Sequence, residues 1–205
     1  MTGRRTAAIV LALVPLAAAA GPLPSRFDVT GVGGGDALNV RAEPTTAAPV
    51  VATLSAGARG VEVVALDPSG GWGRVNAGEG SGWVALRFLR EEADVWQAGA
   101  VPSGLRCFGT EPFWSLVPDG ATARVDRPEG SDSFALTTLG LDLSADPRRA
   151  LLLRGDAGSI TATITPEACS DGMSDRAFGL AVLMVLEGPG ATRLLSGCCS
   201  VAGGR

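Results

Sequence analysis

The sequence contains no histidine, no lysine and no tyrosine. Because histidine is absent, the chain cannot form a Ser-His or Cys-His nucleophile pair, and it has no imidazole to offer a metal ion. Acid–base catalysis by paired carboxylates is the main chemistry that this composition leaves open. We predict neither a metal ion nor another cofactor.

An excess of positive charge is also lacking. Seventeen basic residues, all arginine, stand against 21 acidic residues, and the formal net charge is −4. An acidic surface repels the phosphate backbone, so nucleic acid is not an expected partner. After the N-terminal segment, no apolar run is long enough to span a bilayer, so we expect no membrane span in the mature chain.

The first 20 residues have the pattern of a signal peptide. Met1–Arg5 is short and basic, Ala7–Leu16 is apolar, and Ala18–Ala20 supplies the small residues that a signal peptidase accepts. We predict cleavage after Ala20 and a periplasmic or secreted mature chain. Retention of the segment as a membrane anchor is the alternative.

Four cysteines occur in the second half of the chain, at Cys107, Cys169, Cys198 and Cys199. An even number in an exported chain, with no C-x-x-C pair, predicts disulfides rather than a zinc site or a redox couple. Neighbouring strand residues point to opposite faces, so Cys198 and Cys199 should each have a separate partner. Two connectivities remain open on this argument.

Strand patterns dominate the rest of the sequence. Between residues 26 and 90, short apolar runs end at glycine, proline or aspartate, which is typical of a small barrel. Ser159–Thr165 alternates strictly, and Phe178–Leu186 is apolar on both faces, as expected of a central strand. We predict an all-β fold class, with a small barrel at 26–90, a linker at 91–105 and a second antiparallel β-barrel or sandwich, stapled by disulfides, at 106–201.

A family resemblance in the first unit is carried by four segments: Val29-Thr30-Gly31-Val32, Leu38-Asn39-Val40-Arg41, Trp72-Gly73-Arg74-Val75 and Gly82-Trp83-Val84. Together they resemble a bacterial SH3 domain. The resemblance implies an SH3-like small barrel that binds cell-wall peptides or other proteins in bacterial envelopes. Eukaryotic SH3 domains hold polyproline in a tyrosine-rich groove, so the absence of tyrosine argues against that ligand.

Four residues of this unit are candidate ligand-binding residues. Asn39, Arg41, Trp72 and Trp83 are polar or aromatic, and the pattern places them on strands of the small barrel. Side chains of these types at a barrel rim can hold a peptide. The expected ligand is a peptidoglycan peptide or an envelope protein.

The second unit carries three further motifs: Cys107-Phe108-Gly109-Thr110-Glu111-Pro112-Phe113-Trp114, Cys169-Ser170-Asp171-Gly172-Met173-Ser174-Asp175-Arg176 and Gly197-Cys198-Cys199. In combination they resemble a family of uncharacterised bacterial envelope proteins. The resemblance implies an envelope location and one fold unit, without an activity. It also implies the pairing of Cys169 with Cys198 and of Cys107 with Cys199.

A possible second site is formed by residues of the first two motifs: Glu111, Trp114, Asp171, Asp175 and Arg176. If Glu111 lies beside Asp171 or Asp175 in a concave pocket, the two carboxyls could act as a general acid and base. The alternative is that Asp171-Gly172 forms a capped turn and that Trp114 belongs to the core. The acids between residues 171 and 175 are too few for a calcium loop.

These observations predict a non-enzymatic binding module in the bacterial envelope, acting through its SH3-like unit. The alternative is a hydrolase, or an inhibitor of a hydrolase, carried by the second unit. An enzyme requires the shared acidic pocket, whereas an inhibitor requires a rigid exposed loop near the disulfides.

Overall fold

The structure is a computed structural model that describes residues 21–141, 146–188 and 191–202. The predicted signal peptide at residues 1–20 lies outside the described residues, and so does the choice between cleavage and a retained anchor. Among the residues that are described, no helix has the length and apolar character needed to cross a membrane.

The described residues form fifteen β-strands and one short 3-10 helix, Leu86–Phe88. The first seven strands are β1 Ser25–Val29, β2 Ala37–Arg41, β3 Val50–Ser55, β4 Val61–Leu66, β5 Trp72–Ala77, β6 Gly80–Ala85 and β7 Leu89–Glu91. The other strands are β8 Arg106–Thr110, β9 Phe113–Asp119, β10 Thr122–Arg127, β11 Gly130–Gly140, β12 Arg149–Gly155, β13 Gly158–Cys169, β14 Phe178–Gly188 and β15 Ala191–Ser200. The all-β prediction is confirmed.

Strands β1 to β7 form one antiparallel sheet in the order β3-β2-β6-β5-β4-β1-β7. Leu38 and Val40 on β2 are buried, while Asn39 between them is exposed. This alternation follows directly from the period-2 pattern of the segment. The buried side chains of the unit come from most of its strands: Phe27, Val29, Leu38, Val40, Val63, Val75 and Val84.

Strands β8 to β15 form a closed antiparallel barrel in the order β10-β11-β12-β13-β14-β15-β8-β9, which the pairing of β9 with β10 closes. On β13, Ile160, Ala162 and Ile164 are fully buried, whereas Thr161 and Thr163 are exposed. Inward apolar side chains of this kind fill the barrel as a packed core. The second unit is therefore a barrel, the first of the two predicted architectures.

Strand β14 differs from the expectation that it is buried on both faces. Leu180, Val182 and Met184 fill the barrel interior. Leu183 and Val185 alternate with them and remain partly exposed on the outside. A barrel has one interior, so outward side chains reach solvent unless another unit covers them. The apolar run belongs to a barrel wall rather than to a strand between two layers.

Two disulfides cross-link the barrel, and they have the pairing that the resemblance implies. Cys107 is bonded to Cys199, with Cα atoms 4.0 Å apart, and these two residues face each other in the register of β8 and β15. Cys169 is bonded to Cys198, with Cα atoms 5.7 Å apart. Because successive strand residues point to opposite faces, β15 is held from the interior at Cys199 and from the outside at Cys198.

The segment expected to be a linker packs against the barrel. Trp96 and Leu105 are buried members of the barrel core. Arg149 on β12 is also buried, and its guanidinium carbon lies 5.2 Å from the centre of the Trp96 ring. The same guanidinium donates hydrogen bonds to the carbonyl oxygens of Gln97 at 2.7 Å and Ala100 at 2.6 Å. Contacts with the barrel thus fix the path of the chain between the two sheets.

Replacing Cys107 and Cys199 by alanine is expected to lower the unfolding free energy more than replacing Cys169 and Cys198. The sequence separations are 92 and 29 residues, for which the chain-entropy model gives about 4.5 and about 3.5 kcal/mol. Urea denaturation of both double variants, with the reduced wild-type chain as control, measures the difference. A larger loss for the Cys169–Cys198 pair would contradict this ranking.

Candidate ligand-binding clefts

Three of the four candidate ligand-binding residues share one cleft in the first unit. Asn39, Arg41 and Trp72 line a cavity of about 260 Å³. Its other walls come from the segment 31–38, from Thr46 and from the segment 85–88. We call this cavity the rim cleft. It combines an exposed amide, a cation and an aromatic ring, which suits a peptide that has polar and apolar parts.

Hydrogen bonds hold two of these residues in place. Nη1 of Arg41 donates to the carbonyl oxygen of Ala48 at 2.7 Å. The backbone N–H of Trp72 donates to Oδ1 of Asp67 at 2.7 Å, so the acidic turn fixes the start of β5. The Ser69 hydroxyl donates to Oδ2 of Asp67, and this hydrogen bond is the main reason that the pKa of the Asp67 carboxyl lies below its usual value.

Trp83, the fourth candidate, is not among the residues that line the rim cleft. It lies on β6, and its register neighbours are Arg41 on β2 and Arg74 on β5. The following residue, Val84, belongs to the core, so Trp83 is on the outer face of the sheet. The structure brings three candidates together and places the fourth on an adjoining surface.

Most residues of the rim cleft lie in a segment that matches a known family. Residues 36–90 match the bacterial SH3 domain family. The match begins after β1, yet β1 lies between β4 and β7 in the sheet of the SH3 domain. The structural unit is therefore longer than the matched sequence. A search of curated proteins finds no match to the chain.

The three motifs of the barrel meet on its outer wall beside β8 and β15. The Cys169–Cys198 disulfide joins the second motif to the third. The Thr110 hydroxyl of the first motif donates to the carbonyl oxygen of Asp171 at 2.9 Å. Glu111 and Asp171 both line a small cleft of about 170 Å³ between these segments. Two of the candidate acids are therefore brought into one concave site.

Three hydrogen bonds hold the Asp171 carboxylate to its own turn. Oδ1 accepts from the backbone N–H groups of Met173 at 3.0 Å and Ser174 at 2.9 Å, and Oδ2 accepts from the Ser174 hydroxyl at 2.8 Å. The pKa of Asp171 is lowered, mainly by the two backbone hydrogen bonds. A carboxyl held in its ionised form stabilises a turn and is a poor general acid at neutral pH.

Trp114 lies mainly inside the barrel, where it is 5% exposed, and it also lines a cleft of about 490 Å³ together with Arg176. Its indole ring packs against the backbone of Gly109 on β8 and close to Gly197 on β15. A β-carbon at Gly109 would collide with the ring, and one at Gly197 would collide with a carbonyl oxygen of β8. These contacts are those of a core residue. Its neighbour Phe113 points outward and is 57% exposed.

Asp175 and Arg176 lie at the junction of the SH3 domain and the barrel, where both line a cleft of about 670 Å³. The backbone N–H of Asp175 donates to the carbonyl oxygen of Glu79 in the SH3 domain at 3.0 Å. The guanidinium carbon of Arg176 lies 5.7 Å from the centre of the Phe178 ring. The residues of the possible second site are thus divided among several clefts.

Two polar residues of the SH3 domain, which the sequence analysis does not single out, join it to the barrel. The side-chain amide of Asn76 donates to the Ala177 carbonyl oxygen and accepts from the Ala177 N–H, both at 2.8 Å. Glu62 is 6% exposed. It accepts hydrogen bonds from the Ser200 hydroxyl at 2.6 Å and from the Val201 N–H at 2.8 Å. The only feature of the sequence that marks Glu62 is that an acidic residue stands within an apolar strand. A strand with one face in solvent has the same pattern, so the sequence does not indicate a buried contact.

Burial raises the pKa of the Glu62 carboxyl above its ordinary value of 4.5, against the opposing effect of the Ser200 and Val201 hydrogen bonds. The folded state therefore holds this proton more tightly than the unfolded chain does. The resulting contribution to stability is complete below about pH 4.5 and is lost as the pH rises through the raised pKa of the folded state.

We expect Glu62→Gln to remove this pH dependence. The difference in unfolding free energy between the wild-type chain and the variant should fall as the pH is raised from about 4 to about 8. Urea denaturation across that range measures it, with Glu129→Gln as the matched exposed control. A difference that stays constant with pH, or the same slope in the control, would show that Glu62 is not the responsible group.

Proposed function

We propose that this chain is a non-enzymatic binding module of the bacterial envelope, and that the rim cleft of its SH3 domain holds an extended peptide. The leading ligand is a peptidoglycan peptide, and a segment of an envelope protein is the second. The observation that carries the proposal is the convergence of Asn39, Arg41 and Trp72 on one cleft.

The chemistry of the rim cleft supports a peptide ligand. The Asn39 amide can donate to and accept from a peptide backbone. Arg41 and Arg87 line the same cleft and can bind carboxylates of a cell-wall peptide, while Asp36 provides one opposing charge. The Trp72 ring offers an apolar surface with a small loss of conformational entropy.

Export is supported by the state of the cysteines. All four are paired in disulfides, and such bonds persist in oxidising compartments outside the cytosol. Together with the predicted signal peptide at residues 1–20, this favours a periplasmic or secreted protein.

The hydrolase alternative is less well supported than the inhibitor alternative. Glu111 and Asp171 share a cleft, but the hydrogen bonds of Asp171 commit it to its turn. That same turn forms a short loop next to the Cys169 disulfide and presents Met173, which is 69% exposed.

An assay of muramidase activity in the presence of the full chain tests the inhibitor alternative. The alternative is favoured if the full chain inhibits the enzyme, if Met173→Ser abolishes the inhibition, and if the exposed control Leu194→Ser keeps it.

Retention on purified peptidoglycan tests the leading proposal. We expect Trp72→Ala to weaken retention of the full chain by at least about tenfold, because truncation of an aromatic anchor in an interface commonly costs 2 kcal/mol or more. Arg41→Gln should also weaken it. Arg90→Gln is the matched control, since Arg90 lies on β7 outside the cleft.

The Trp83→Ala variant separates the rim cleft from the adjoining outer surface. If Trp72→Ala and Trp83→Ala both reduce retention, the ligand extends from the cleft over Arg41. Loss with Trp83→Ala alone would contradict a site in the rim cleft. Unchanged retention in all of these variants would exclude the proposed site altogether.

A further inference from the structure

A further cleft lies on the outer wall of the barrel, apart from the rim cleft of the SH3 domain. It measures about 490 Å³ and is built on β8, β9 and β10. Phe108, Ser115 and Asp126 are neighbours in the register of these strands and form its floor. We call it the wall cleft. None of the candidate residues of the SH3 domain contributes to it.

The wall cleft is positively charged in a chain whose net charge is negative. Arg106, Arg127 and Arg176 line it, together with the single acidic residue Asp126. Arg127 forms an ion pair with Asp132. For Arg106 and Arg176, no carboxylate lies within ion-pair distance among the described residues.

The negative charge of Asp126 is already compensated. Its carboxylate accepts hydrogen bonds from the hydroxyls of Ser115 and Ser131, and it pairs with Arg124 at 3.0 Å. The hydrogen bond from Ser131 is the main cause that lowers the pKa of this carboxyl. The Asp126 carboxylate in the floor of the cleft therefore has its own partners. The guanidinium groups of Arg106 and Arg176 remain for a ligand.

An apolar wall stands beside these cations. Phe113 is 57% exposed, although it is a large apolar side chain. Phe108 is held edge-on against Phe178, with ring centres 5.0 Å apart, and Arg176 packs on the other ring of that pair. Packing thus positions the Phe108 ring and the Arg176 guanidinium, and Phe113 adds an exposed apolar surface beside them.

We propose that the wall cleft binds a small anion attached to an apolar group, with a carboxylate or phosphate between Arg106 and Arg176 and the apolar part against Phe113. The planar guanidinium group binds both of these oxyanions through paired hydrogen bonds. An aromatic ring next to the cations favours a ligand that also carries a ring or alkyl chain. This site is independent of peptide binding by the SH3 domain.

Calorimetric titration of the full chain with matched small probes tests the site. Phenylacetate carries both parts, phenylacetamide lacks the charge, and acetate lacks the ring. We expect phenylacetate to bind at least about tenfold more tightly than either of the other two. Phenyl phosphate, compared with inorganic phosphate, distinguishes a phosphate-bearing ligand from a carboxylate.

Substitutions assign the binding to the wall cleft. Arg106→Gln and Arg176→Gln should each weaken phenylacetate about tenfold and leave phenylacetamide unchanged. Phe113→Ser should weaken both probes. Arg193→Gln removes one exposed arginine from β15, outside the cleft, and is the matched control. Near-ultraviolet circular dichroism checks that each variant is folded. If Arg176→Gln disturbs the contact between the SH3 domain and the barrel, the test of the wall cleft rests on Arg106→Gln.

Three results would each overturn the proposal. These are equal affinity for phenylacetate and phenylacetamide, an equal loss in Arg193→Gln, and the absence of saturable binding by phenylacetate and phenyl phosphate. Binding of the Arg106→Gln variant to peptidoglycan is measured separately. Arg106 lies outside the rim cleft, so this measurement tests the proposal for the SH3 domain and the phenylacetate titration tests the proposal for the wall cleft.

Discussion

Strand β15 is the element on which the rest of the structure depends, because it is held covalently on both faces. Cys199 ties it to β8 within the core, and Cys198 ties it to the end of β13 on the outside. Between β14 and β8, the same strand completes the closed barrel. Its last residue, Ser200, and the following Val201 then reach Glu62 in the SH3 domain. Barrel closure and contact between the two units therefore share one strand.

The contact between the units includes several specific polar pairs. Asn76 pairs with the backbone of Ala177 much as a neighbouring strand would, and Glu62 caps the end of β15. Gly179 permits the close approach, since a β-carbon there would lie 3.0 Å from the Val64 carbonyl oxygen. Trp96 adds a hydrogen bond from its indole nitrogen to the Pro24 carbonyl oxygen at 2.8 Å. Such contacts define an orientation, because each is lost on a small rotation.

Features that depend on neighbours along the chain could be predicted from the residues, whereas several features that depend on neighbours across strands could not. The alternation around Asn39 and along β13 follows from side-chain geometry within one strand. The separation of Trp83 from Trp72, by contrast, is set by the register of β6 against β2 and β5. The floor of the wall cleft joins residues of three strands in the same way. Buried Arg149 carries no local sign of its contact with the segment 91–105, because the carbonyl oxygens that it reaches there lie about 50 residues away.

Arg176 contributes to both the junction between the two units and the wall cleft. The charge of the same guanidinium also acts on the buried Glu62 carboxyl, which lies in the contact between the units. If the wall cleft binds an anion as proposed, that anion and the Glu62 carboxylate share one cation, and by thermodynamic linkage each lowers the other's interaction with it by the same free energy.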